Sequence, residues 1–151
     1  MRTLILAIVL AGCGVDGAVD DGYRATLDSL PSVGVTYSER AVSIVAESMG
    51  INRGDITSIT WVVGGVHDEH GNGVGGVSIG CDVWVAWIIP QWTSGASADG
   101  PAISHSNMAH EVAHCALGLL GDRDGEHMKS EWWAGGGRVA MANLSLVGVG
   151  L

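Results

Sequence analysis

The stretch that most constrains this chain is His110-Glu111-Val112-Ala113-His114. On a helix, residues four apart stand on the same face with Cβ atoms about 5–6 Å from each other, so both imidazoles can reach one tetrahedral ion at about 2.0–2.1 Å. Zinc is the expected ion. Glu111 follows the first ligand, turned by roughly 100° around the axis, where it can reach a water on the metal without competing for the metal itself. That makes it the expected general base. The flanks predict the helix: Ser104 or Ser106 can cap its start, Met108 to Leu120 is rich in Ala, Leu and Val, and Gly118 and Gly121 mark its end. Opposite the histidines, Val112, Ala116 and Leu119 are expected to bury the back of the helix while the imidazoles face a cleft.

A zinc hydrolase needs a third protein ligand and one open position. The metzincin pattern asks for Gly at 117 and a ligand at 120, and both positions are leucine, which removes that subclass. Two candidates follow the helix. Glu131, 17 positions after His114, comes a little early for the glutamate of the gluzincin pattern. His127, 13 positions after His114 and beyond the polar loop Gly121 to Glu126, is preferred. Taken together, HEVAH, a short polar loop and His127-Met-Lys-Ser-Glu-Trp-Trp133 resemble SprT-like and related small zincins, in which a third histidine opens a short helix carrying a tryptophan. The resemblance covers about residues 104 to 133. Carried over residue by residue, it implies His110, His114 and His127 as metal ligands and Glu111 as base, and nothing else.

At the other end, Met1 to Cys13 has one positive charge, a short apolar run and small residues before a cysteine. That composition describes a secretory signal, too short for a comfortable membrane span. Leu10-Ala11-Gly12-Cys13 resembles the bacterial lipobox. By that resemblance residues 1–12 are a cleaved signal peptide and Cys13 becomes the lipidated first residue of an exported protein, anchored at the outer membrane or cell surface. Residues 13–34, rich in Gly and Asp at first, are expected to be a tether. Residues 35–151 are then one domain, long enough for a single core.

Core volume has to come from aliphatics and the 6 tryptophans, because there is no phenylalanine. The net charge is −9, with no cluster of Lys or Arg. Nucleic acid is therefore not an expected partner, since its binding depends on neutralised phosphates. A polypeptide substrate is.

Ser38 to Met49 predicts a helix, capped by Ser38 and ended by Gly50, with Ala41, Val42, Val45, Ala46 and Met49 on its buried face. Asp55 to Val63 predicts a strand with Trp61 and Val63 on one face. The Gly-rich stretch from Gly64 to Gly73 carries His67 and His70, expected as solvated turn residues. Val77 to Ile89 predicts a second strand, with Val77, Ile79, Cys81, Val83 and Val85 on one face, along which a polypeptide substrate would add. Trp84, Trp87 and Trp92 are expected to cover the sheet or, alternatively, to line subsites. Gln91 to Pro101 reads as a polar loop and His105 as a surface residue. Arg138 to Leu146 is a helix or a strand; Arg138 is a candidate oxyanion contact and Met141 a candidate residue beneath the metal. With Cys13 taken by lipid, Cys81 and Cys115 form an even pair in an oxidising compartment. A disulfide is favoured there, the alternative being that Cys115 is simply a small buried residue.

The expected fold is thus α+β, a small zincin-like domain whose short mixed or antiparallel sheet packs on the active-site helix. The expected function is zinc-dependent peptide hydrolysis at a bacterial envelope membrane. The alternatives are a non-catalytic, metal-stabilised envelope lipoprotein and a hydrolase of peptidoglycan cross-links.

Overall fold

Alternating and β-branched residues build the strands β1 (Ser58–Val63), β2 (Val66–His67), β3 (Gly73–Val74), β4 (Gly76–Ile79) and β5 (Asp82–Trp87). The structure, a computed structural model, describes residues 21–34, 38–87, 99–122, 127–146 and 149, and only the backbone of residues 99–106. The lipobox with Cys13, the end of the predicted second strand, Trp92, most of the Gln91 to Pro101 stretch and the side chain of His105 lie outside the described residues. Helices are α1 (Asp21–Asp28), α2 (Glu39–Met49), α3 (Asp99–Leu119), α4 (Ser130–Trp133) and α5 (Arg138–Leu146). Among the described residues no helix is long and apolar enough to cross a membrane.

The architecture is α+β around a small mixed sheet of order β1-β5-β4, in which β1 runs parallel to β5 and β4 runs antiparallel to it. The stretch expected as one strand from Val77 is a hairpin instead. Gly80, at φ 61°, supplies the left-handed residue that a two-residue turn with glycine first requires. Reversal changes which residues share a face: Val77 stands opposite Trp84 and Ser78 opposite Val83. One face of the sheet, with Trp61, Val83 and Val85, packs on α2 and α3 through Val45, Met49, Met108 and Val112, and α5 joins the same core through Ala142 and Leu146. The other face, with Val62, Val77, Trp84 and Ala86, packs on Leu27 of α1 and on Val66. Trp84 is therefore a core residue, and Trp87 meets Trp61 edge to face at 5.9 Å.

Residues 21–34, expected as tether, belong to the domain. Leu27 is buried, Arg24 pairs with Asp82 and stands over the Trp84 ring, and Ser32 bridges Val62 at the edge of β1. The Gly and Asp residues of this stretch read as a tether, whereas a buried leucine and an ion pair between residues distant in sequence dock two turns of helix.

Helix α2 follows its expected boundaries. Ser38 accepts from the Ala41 N–H, and Gly50 at φ 76° closes the helix with bonds from Gly50 N–H to Glu47 O and from Ile51 N–H to Ala46 O. Helix α3 ends in the same manner: Gly121 N–H reaches Gly118 O and Asp122 N–H reaches Leu117 O. Its start lies earlier than expected, at Asp99, so Ser104 and Ser106 sit inside the helix rather than capping it. Val112 and Ala116 are buried as expected, but Leu119 is 53% exposed and Leu117 takes the inward place. Arg138 to Leu146 is helical. Its Arg138 donates to the Met49 carbonyl at 2.8 Å and stacks on Trp132, which makes it a strut rather than an oxyanion contact. Met141 is exposed.

Candidate metal centre

Three imidazoles converge. His110 and His114 project from successive turns of α3, and their Nε2 atoms stand 3.3 Å apart. His127 enters from the segment after the helix, with its Nε2 at 3.0 Å from that of His110 and 3.1 Å from that of His114. An ion held tetrahedrally at about 2.0–2.1 Å sets its ligand nitrogens roughly 3.3 Å apart, close to this spacing. The group can therefore hold a metal ion.

The donor chemistry supports the same conclusion. A neutral imidazole offers one N–H and one lone pair. Among three Nε2 atoms that all face one another, at least two present the same kind of group, so they cannot all be paired by hydrogen bonds. A shared cation removes the conflict, since each nitrogen then presents a lone pair. Burial of His110, reinforced by the nearby His127, pushes its pKa down from 6.5 to about 4. It thus stays in the neutral form that binds metal.

The third ligand is placed at a backbone cost. His127 has φ 56°, the one left-handed residue other than glycine among the described residues. That conformation costs about 1–2 kcal/mol and has to be imposed by its surroundings. Two clamps flank it. Lys129 pairs with Asp122, tying the chain just after His127 to the chain just past α3. Downstream, α4 sends Trp132 into the core and Trp133 onto the histidines, its ring centroid 4.7, 4.9 and 4.5 Å from those of His110, His114 and His127. Glu131, the other candidate third ligand, is on the exposed side of α4 and is not in the group.

Glu111 lies on the next face of α3 and is only 3% exposed. Desolvation raises its pKa from 4.5 to about 8, against the opposing effect of a hydrogen bond with Ser78. Its Oε2 atom is buried without a hydrogen-bond partner among the described residues. The room for this carboxyl is made by β4: a Cβ on Gly76 would come within 2.6 Å of Glu111 Cγ and 2.9 Å of the Trp84 carbonyl oxygen. Behind the helix, Cys115 is bonded to Cys81, with Cα atoms 4.8 Å apart, so the residue after His114 is tied to the β4–β5 turn. His67 and His70, in contrast, lie exposed in the β2–β3 hairpin.

Sequence reasoning gave no role to Trp133, Ser78 or Gly76. For Trp133 the available signal was its place six residues beyond His127; for Gly76, the Gly75-Gly76 pair inside an otherwise β-forming stretch, which marks close backbone approach. No protein-family model, curated protein or solved structure matches this chain.

Proposed function

We propose that this protein is a metal-dependent peptidase with a zincin-like catalytic helix, that its ion is zinc, and that it is exported and held at a bacterial envelope membrane through Cys13. The observation that carries the reading is the meeting of three Nε2 atoms within 3.0–3.3 Å on a helix whose intervening residue, Glu111, is a buried carboxyl. His110, His114 and His127 would hold the ion, leaving one position open, as hydrolytic zinc sites do. When bound, zinc polarises a carbonyl and lowers the pKa of water toward about 7.

The chain's own contribution is proton handling and orientation. Glu111 stands on the same helix as two of the ligands, with Ser78 hydrogen-bonded to its carboxyl and Oε2 buried without a partner among the described residues, and in its ionised form it would be the general base. It would take the proton from the attacking water and deliver it to the leaving amine. An extended polypeptide would pair along β4, the edge strand that carries both Gly76 and Ser78.

Metal analysis of the purified protein, with casein or peptide-library cleavage in the presence and absence of chelator, tests the proposal. Zinc at one equivalent and chelator-sensitive cleavage are expected, with Glu111→Gln keeping the metal and losing turnover. Full turnover by that variant would refute the assigned base. The near-complete burial of Glu111 favours a second reading, a metal centre that stabilises the fold without catalysis. That reading expects bound zinc and no cleavage of any peptide.

A further inference from the structure

The ring centroids of His110, His114 and His127 form a nearly equilateral triangle with sides of 5.0, 4.9 and 4.9 Å. The Trp133 centroid lies 4.5–4.9 Å from every corner. A point that far from all three corners cannot lie in the plane of so small a triangle. It stands off to one side, so the four rings mark the corners of a near-regular tetrahedron. Three of those corners are ligands, and the fourth is an indole, which offers carbon faces and an N–H but no lone pair for a metal.

We propose that Trp133 is a positioning residue that closes one side of the three-histidine centre, limiting the directions from which a further ligand can reach the metal. This rests on the metal site itself and not on hydrolysis. The indole is held in place by its own element. Trp132, its neighbour in the short helix α4, is buried in the main core beneath the Arg138 guanidinium at 4.5 Å, and Arg138 is in turn bonded to the Met49 carbonyl. Two consecutive tryptophans thus divide the work: one fixes the strap and the other covers the imidazoles. An aromatic face against the ligand rings also excludes water from that side, which strengthens the electrostatics of the centre and slows loss of the ion.

Cobalt(II) is the probe, because its visible absorption separates four-coordinate from five- or six-coordinate ions. Wild-type protein loaded with Co2+ is expected to give the intense four-coordinate spectrum and to bind a single azide. Trp133→Ala is expected to admit water on the uncovered side, with a weaker, higher-coordinate spectrum and Co2+ release to chelator faster by about 10-fold or more. Trp133→Phe, which keeps an aromatic face, is expected to stay close to wild type. In addition, Co2+ should quench the wild-type tryptophan emission by a component that Trp133→Phe lacks, a readout that holds even where the alanine variant fails to fold. An unchanged spectrum and release rate in Trp133→Ala, or equal quenching in wild type and Trp133→Phe, would overturn the assignment. Wild-type protein that takes up no Co2+ would overturn it together with the metal centre. Tight Co2+ binding with the expected variant effects but no peptide cleavage would leave the inference standing and remove the peptidase.

Discussion

Residues 110–133 and the β2–β3 hairpin both set histidines beside carboxylates, and they use them in opposite ways. In the hairpin, His67, Asp68, Glu69 and His70 are neighbours in sequence, but the turn consumes one of the two carboxylates. Asp68 accepts from the backbone N–H groups of His70 and Asn72 and from the Asn72 side chain, and these bonds hold its pKa below the usual carboxylate value. His70 meets Glu69 at 3.6 Å with both side chains well exposed. On α3 the same residue types are spaced by a helical turn, backed by a buried face and completed by a histidine from another segment. Spacing on a rigid element, with desolvation, makes the centre; proximity along a glycine-rich turn does not.

The largest effect that can break this contrast is loss of a ligand. His114→Ala or His127→Ala should weaken metal binding by more than the roughly 10- to 100-fold typical of an outer-sphere partner, while His67→Ala and His70→Ala leave stoichiometry and affinity unchanged in a competitive chelator titration. A comparable loss from the hairpin variants would remove the contrast. Next is the cross-link. Opening the Cys81–Cys115 bridge, whose partners are 34 residues apart, should lower stability by roughly 3–4 kcal/mol in urea unfolding. Smaller again, Gly76→Ala drives a methyl group against Glu111 and the Trp84 carbonyl and should cost about 1–3 kcal/mol. Gly73→Ala in the hairpin meets open space and should stay within about 0.5 kcal/mol.

The pH dependence of the metal-free protein sharpens the same comparison. Glu111, with its pKa raised to about 8, holds a proton in the folded state that the unfolded chain releases above about 4.5. Stability from this group is therefore lost as pH rises toward 8. His110, with its pKa lowered to about 4, refuses in the folded state a proton that the unfolded chain accepts below 6.5, so its contribution is lost as pH falls from 6.5 toward 4. Between pH 6.5 and 8 the Glu111 effect acts alone of the two, on the order of 1 kcal/mol per pH unit. A melting temperature that declines over that interval in wild type and is flat in Glu111→Gln would support the burial of the carboxyl; parallel curves would contradict it. Hairpin substitutions should leave both curves where they are.

Much of the centre was legible in the sequence because its determinants are local. The four-residue repeat of His110 and His114 fixes a shared helix face, and the only histidine downstream of it is His127. Helix α2 carried its own cap, periodicity and stop. What escaped was decided by tertiary contact. The period of two along Val77 to Val85 is the same whether the chain runs straight or reverses at Gly80, so the hairpin was hidden in a pattern that fitted one strand. Helix α1 depends on Leu27 finding Trp84 and Val62 across the sheet, which no local rule supplies. Trp133 depends on Trp132 having a core to enter.

The sheet also separates two ends of the molecule's business. Asp21–Asp28 leans on the Trp84 face, whereas α3 leans on the Val83 and Val85 face. Helix α1 therefore stands across the strands from α3, and a label or handle on its exposed residues would have the sheet between itself and the catalytic-type helix.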